Sequence, residues 1–255
     1  MANAIAPSVL AQARAAYDGK MMILKGPEVS ALYPGRARML VDLDLLVDDA
    51  AAARDALLGA GFVPADRLAT VSPDFYHLDP IELPGVPLAI ELHKSFRWPN
   101  GLQPASTAEL FEAAVPASVG VPGLVAPARA HHAVLLAAHA WAERPLERLR
   151  DLVDVAVMAA GIAPDELTKI ARAWGWDRLW ATTSDAVDWL FYKGSRPTAT
   201  RIWARHLAQL REPRHLDRTL TYWLSPFWAL PLHTAFHEVA FLAKKGNRRN
   251  AFSTD

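Results

Sequence analysis

The pattern of apolar and polar positions changes character near residue 120. In the first part, short apolar runs alternate with polar turns, which predicts strands and helices in alternation. The expected strands cover 20–26, 40–47, 75–79 and 86–96, and the expected helices cover 27–33, 48–62 and 107–115. This part predicts a small mixed sheet with flanking helices.

Beyond a Pro/Gly-rich stretch at 119–127, interpreted as a linker, apolar residues recur at helical spacing almost to the end. The expected helices cover 127–143, 145–160, 164–174, 177–192, 197–211, 213–224 and 226–243. The chain is therefore expected to be α+β, with a mixed α/β domain in residues 1–120 and an α-helical domain in residues 121–255.

Composition excludes several classes of function. The 255 residues include 27 basic and 27 acidic side chains, so no overall field favours nucleic acid or an anionic membrane. Cysteine is absent, which excludes disulfides, thiolate metal sites and cysteine nucleophiles. The first twenty residues lack the pattern of a signal peptide, and we expect a cytoplasmic location.

Residues 220–243 are apolar over a length that could span a membrane. The segment contains two prolines and three ionisable residues, which are rare inside membranes. These five are Pro226, Pro231, His233, His237 and Glu238. A buried or amphipathic helix is the favoured interpretation, with no integral span, and peripheral membrane contact is the alternative.

Two aspartates interrupt the apolar run RMLVDLDLLV at 38–47. Strand alternation puts Asp42 and Asp44 on one face, about 6–7 Å apart, and leaves the other face for the core. The face expected in the core carries Val41, Leu43, Leu45 and Val47. Two neighbouring carboxylates repel each other unless cations neutralise them, as a pair of Mg²⁺ ions would. The alternative is a solvated edge strand.

Two further features lie near this pair in the expected fold. Gly26 ends a strand and Pro27 begins a helix, a start that offers backbone N–H groups to phosphate beside Lys25. Glu91 interrupts the later strand on the same face as His93, and would supply a third carboxylate. An ordinary turn and a surface glutamate are the respective alternatives.

These residues carry a resemblance to a known family. The stretch LKGPEVSALYPGRARMLVDLDLLV at 24–47 resembles the opening motif of the uncharacterised nucleotidyltransferase family, a branch of the DNA polymerase β-type nucleotidyltransferases. The matching positions are Lys25-Gly26, Tyr33-Pro34, Arg38 and Asp42-x-Asp44. The stretch IELH at 90–93 is similar to the later element of the family that carries the third acid. Residues 135–158 are similar to the family's helix with a histidine and to the aspartate-bearing helix that follows it. The resemblance extends over about residues 20–190.

The resemblance implies metal-dependent transfer of a nucleoside monophosphate from a nucleoside triphosphate such as ATP to a hydroxyl acceptor. Asp42, Asp44 and Glu91 would be catalytic and would hold Mg²⁺ or Mn²⁺. Lys25, Gly26 and Arg38 would bind the nucleotide, and His93 and His139 are candidates for the cleft. The acceptor stays open between a small molecule, a protein and RNA. The alternatives are a catalytically degenerate nucleotide-binding module and, less favoured, a helical interaction or membrane-surface protein.

The helical part offers weaker candidates. A basic stretch at 201–218 could face nucleic acid or could be a solvated helix surface. His132 and His139 share a helix face, where packed histidines are the usual interpretation. His233 and His237 have the spacing of a helical zinc pair, but the H-E-x-x-H order is absent.

Overall fold

The computed structural model describes residues 2–36, 38–65 and 76–251, except for the side chains at 36 and 245–251. The chain forms two compact units. The first comprises Met1–Phe96 and Ala105–His132, and the second comprises Arg97–Pro104 and Ala133–Asp255.

A seven-stranded mixed sheet organises the first unit, in the order β3-β4-β5-β2-β1-β7-β6. Two pairs are parallel, β2 with β5 and β1 with β7, and the other pairs are antiparallel. The strands are β1 (Met21–Ile23), β2 (Asp42–Val47), β3 (Val63–Pro64), β4 (Ile81–Glu82), β5 (Ala89–His93), β6 (Val115–Pro116) and β7 (Val125–Ala126). With the helical second unit, this architecture confirms the α+β class.

In the described part of the chain, the α-helices that accompany the sheet are α1 (Ala2–Ala16), α2 (Pro27–Ser30), α3 (Ala50–Gly59) and α4 (Thr107–Glu112). The Asp49 side chain caps α3 by accepting hydrogen bonds from the backbone N–H groups of Ala51 and Ala52, at 3.1 and 3.0 Å. The apolar faces of α1 and α3 pack with the central strands in one core cluster, whose members include Leu10, Leu43, Leu45, Leu57 and Ile90. This core fixes the central strands that carry the acidic residues.

The second unit is helical. Helix α5 (Arg129–Glu143) begins in the first unit and continues into the second. The remaining helices are α6 (Leu149–Ala159), α7 (Pro164–Ala173), α8 (Asp177–Phe191), α9 (Thr198–Ile202), α10 (Arg205–Ala208), α11 (His215–Leu224), α12 (Pro226–Ala229) and α13 (Leu232–Ala251). Buried tryptophans form much of its core, namely Trp141, Trp174, Trp176, Trp180 and Trp203.

The structure corrects several predicted elements. The linker expected at 119–127 contains β7, which pairs with β1. The helix expected at 197–211 is two helices separated at 203–204, and that expected at 226–243 breaks before Leu232. Pro231 has no backbone N–H, so it cannot continue the helical hydrogen bonds.

The strands also differ from expectation. Phe75 of the strand expected at 75–79 lies outside the described residues, and Tyr76–Asp79 form only an isolated bridge, between His77 and His93. Val41 was expected in the core but is 67% exposed, because it precedes the first residue of β2.

The apolar segment at 220–243 forms parts of α11 and α13 with α12 between them. Among the described helices, none has the length and apolar character needed to cross a membrane.

A buried phenol links the first helix to the central strands. The Tyr17 hydroxyl donates a hydrogen bond to Asp48 Oδ1 at 2.5 Å. Burial, that hydrogen bond and the negative charge of Asp48 raise the pKa of Tyr17 to about 12, from 10.0. The protonated phenol is therefore favoured by folding, and this stabilisation is complete below pH 10 and lost as the pH rises towards 12.

We expect Tyr17→Phe to lower the free energy of unfolding by about 1 kcal/mol at pH 7, the usual net value of such a hydrogen bond. Chemical denaturation measures this difference, and it should shrink when repeated between pH 10 and 12. Tyr192→Phe is the control, because Tyr192 is 58% exposed. Equal stability of wild type and Tyr17→Phe at pH 7 would show that the hydrogen bond contributes nothing.

Candidate active site

Two neighbouring parallel strands bring the acidic residues together. The register of β2 and β5 places Asp44 opposite Glu91 and Asp42 opposite Ala89. Residues two apart in a strand project from the same face, so the three carboxylates share one face of the sheet. Asp44 is only 3% exposed, whereas Asp42 and Glu91 are half-buried.

His93 completes this cluster from the end of β5. Its Nε2 lies 2.8 Å from Asp44 Oδ1 and 3.6 Å from Glu91 Oε2. The imidazole is buried, and the rings of Tyr76 and His77 pack against it with centroids 5.5 and 5.3 Å away. The histidine is therefore fixed between the two carboxylates.

The carboxylates strongly affect one another. Burial raises the pKa of Asp42, the charges of Asp44 and Glu91 raise it further, and Lys25 and Arg38 lower it, with a result of about 6. Burial lowers the pKa of His93, but its hydrogen bonds to Asp44 and Glu91 outweigh this and raise the pKa above 6.5. Burial is the largest cause of the shift at Asp42, and the neighbouring carboxylates contribute to both shifts, so a positive charge at this place would favour the ionised acids.

Lys25 and Arg38, predicted to bind nucleotide, both act on the acidic cluster. Lys25 Nζ lies 3.6 Å from Asp44 Oδ2. The backbone carbonyl of Arg38 accepts hydrogen bonds from Asn3 Nδ2 at 3.0 Å and from Ser30 Oγ at 3.3 Å. These contacts hold the segment that leads into β2, and the charge of Arg38 contributes to the pKa of Asp42.

Gly26 lies at the turn between β1 and α2, close to the start of β2. Its φ of 68° belongs to the left-handed region that favours glycine. A Cβ atom there would lie 3.4 Å from the backbone oxygen of Asp42. The next helix, α2, has only four residues, and the Glu28 carboxylate accepts hydrogen bonds from the Ser118 N–H at 2.9 and 3.1 Å.

The histidines divide into different roles. His77 was not anticipated: its Nδ1 donates to the Leu78 carbonyl at 2.7 Å, and its Nε2 lies 3.6 Å from Glu91 Oε2. His77 comes close to Glu91 because it pairs with His93 in an isolated bridge. The spacing of residues along the sequence gives no sign of this pairing. His132 Nε2 donates to the carbonyl of Leu24, so His132 is a packed residue that fixes the end of β1. His139 is half-buried in α5 within the second unit, and its role in a cleft stays a prediction.

The donor atoms of the cluster fit a divalent cation. One ligand atom each from Asp44, Glu91 and His93 lies within 4.8 Å of the others. Carboxylate oxygens suit Mg²⁺ and Mn²⁺, while an imidazole nitrogen adds preference for transition metals. This compact set includes His93, which was expected only as a cleft residue, and the place of Asp42 among the ligands stays a prediction.

Comparison with known proteins agrees with this geometry. A family model described as an uncharacterised nucleotidyltransferase matches residues 8–191. The chain belongs to this nucleotidyltransferase family. The match spans the strands that carry the acidic cluster and continues to the end of α8, which confirms the resemblance seen at 24–47. No curated protein matches the sequence. Membership supports nucleotidyl transfer as the general activity.

Proposed function

We propose that this nucleotidyltransferase family member moves a nucleoside monophosphate from a nucleoside triphosphate to a hydroxyl acceptor, with the help of a divalent cation. The observation that supports this most is the convergence of Asp44, Glu91 and His93 within 4.8 Å. The triphosphate substrate favours a cytoplasmic enzyme.

Asp44, Glu91 and His93 would hold the cation, and Asp42 would add the third carboxylate. When bound, Mg²⁺ or Mn²⁺ supplies positive charge for the phosphates and lowers the pKa of an acceptor hydroxyl. Burial and then the charges of Asp44 and Glu91 raise the pKa of Asp42 to about 6, and positive charge at this place would favour its ionised form.

The other residues act on the triphosphate and on the proton. Lys25 and Arg38 offset the charge of the phosphates, and the Gly26 turn lets backbone approach them. The acceptor oxygen forms a bond to the α-phosphorus as the bond to the bridging oxygen breaks, and pyrophosphate leaves with that electron pair. The hydroxyl proton passes to a carboxylate oxygen of Asp42 or Glu91, the two half-buried acids.

One observation favours a second candidate, a nucleotide-binding module without turnover. Asp44 already has a partner for each oxygen, His93 at Oδ1 and Lys25 at Oδ2. These protein cations could compensate its charge without a metal. The two candidates share nucleotide binding and differ in product formation.

Labelled nucleotides distinguish them. We expect that the chain, incubated with α-³²P nucleoside triphosphates, Mn²⁺ or Mg²⁺ and a cell extract, transfers label to an acceptor and releases unlabelled pyrophosphate. Digestion of the labelled product with nuclease, protease or neither assigns the acceptor to RNA, protein or a small molecule. Bound nucleotide without any labelled product would contradict transfer and would leave the binding module.

A further inference from the structure

A second place with binding chemistry lies entirely within the helical second unit. A cavity of about 720 Å³ opens between the end of α5, the start of α6 and the turn after α10. Four of its lining residues are arginines: Arg144, Arg148, Arg150 and Arg211. Cavities that hold small ligands have volumes of about 300–1,000 Å³, so this one is large enough for an organic molecule.

The carboxylates around the cavity are fewer than the guanidinium groups. Glu147 Oε1 is shared between Arg144 at 3.2 Å and Arg218 at 3.6 Å. Asp217 is likewise shared between Arg211 at 2.7 Å and Arg205 at 4.0 Å. Glu212 also lines the cavity, and Asp151 lies 4.0 Å from Arg150. The lining residues and the groups paired with them therefore comprise six arginines and four carboxylates, which leaves an excess of positive charge.

Arg148 contributes most clearly to this excess. Its side chain lines the cavity and is half-buried. Within residues 2–36, 38–65 and 76–251, no ion pair links it to an acidic group. A guanidinium in that position can donate two hydrogen bonds to one oxyanion.

The backbone next to the cavity is strained. Leu146 and Leu210 have φ values of 47° and 46°, and they are two of the three non-glycine residues with positive φ in the described chain. Leu210 lines the cavity, and Leu146 lies in the turn between Arg144 and Arg148. Strain of this kind persists where surrounding packing holds it, and it concentrates at ligand sites.

We infer that this cavity binds a phosphate ester of small-molecule size. The arginines would bind the phosphate, and Leu149, Leu207 and Leu210 offer apolar contact to the organic part. A balanced charge of 27 basic and 27 acidic residues gives no long-range field for an extended RNA backbone, which argues for a compact anion. The inference does not depend on the acidic cluster of the first unit.

Calorimetric titration of the full chain at low salt, without nucleotide, tests the site. The ligands are phenyl phosphate and glucose 6-phosphate, with glucose as the uncharged control. We expect both esters to bind, glucose not to bind, and Arg148→Gln to weaken ester binding at least tenfold. Arg172→Gln is the matched control, since Arg172 is exposed on α7 and lies outside the cavity lining.

Three results would overturn the inference. The phosphate site is contradicted if neither ester binds the wild type. It is also contradicted if Arg148→Gln binds the esters as tightly as the wild type does. The wild type could instead bind a uridine dodecamer that neither ester displaces, and Arg148→Gln could lose that binding. This result would assign these arginines to RNA. An unchanged thermal unfolding midpoint of Arg148→Gln is required, so that lost binding reports on the side chain.

Discussion

Asn in place of Asp44 is expected to slow nucleotidyl transfer by about 10³-fold, which corresponds to roughly 4 kcal/mol of transition-state stabilisation. Asp44 lies at the centre of the cluster: it is opposite Glu91, 2.8 Å from His93 Nε2 and 3.6 Å from Lys25 Nζ. The amide keeps the shape of the side chain but removes the negative charge that a bound cation requires and that Lys25 and a protonated His93 compensate without one. Steady-state rates with saturating nucleotide and Mn²⁺ measure the loss.

Asp55→Asn provides the matched control, because Asp55 is exposed on α3 in the same unit. Both variants should unfold at temperatures close to that of the wild type, so that a lost rate reports on chemistry. A rate for Asp44→Asn within threefold of the wild type would show that this carboxylate has no part in the reaction.

His93→Gln is expected to weaken Mn²⁺ binding by about 100-fold and Mg²⁺ binding by less. Removing the imidazole takes away the nitrogen donor that favours transition metals, whereas the carboxylates that suit Mg²⁺ remain. Competition titrations with the two ions, followed by the electron paramagnetic resonance of free Mn²⁺, give both affinities. The readout does not require turnover, so it also holds for a module that only binds nucleotide.

The control for this variant is His237→Gln, since His237 is exposed on α13. It should bind both ions as the wild type does. Equal losses for Mn²⁺ and Mg²⁺ in His93→Gln would indicate that the histidine only packs against the carboxylates. No loss for either ion would exclude it from the ligand set.

Much of the first unit could be predicted because its strands carry a local signal. The apolar runs around Asp42 and Glu91 have strand character, and polar residues interrupt each at a spacing of two, Asp42 and Asp44 in the first and Glu91 and His93 in the second. The helix capped by Asp49 was also expected, although it was predicted over 48–62 and covers Ala50–Gly59. In contrast, β7 has two residues and lies in a Pro/Gly-rich stretch, so pairing with β1 rather than local preference makes it a strand.

The composition of the candidate site could be predicted only in part. Strand alternation places Glu91 and His93 on one face, but the parallel register that puts Glu91 beside Asp44 depends on tertiary pairing. The same is true of His77, which reaches Glu91 through an isolated bridge. Exposure of Val41 depends on where β2 begins, and strand boundaries are weakly encoded.

The proposed cation site can be observed by anomalous diffraction at the manganese edge, from crystals of the chain grown with Mn²⁺ and a non-hydrolysable ATP analogue. We expect a strong manganese peak within bonding distance of Asp44, Glu91 and His93, with the triphosphate near Lys25 and the Gly26 turn. An ordered analogue with no manganese bound to these three side chains, or manganese bound elsewhere in the chain, would contradict this expectation.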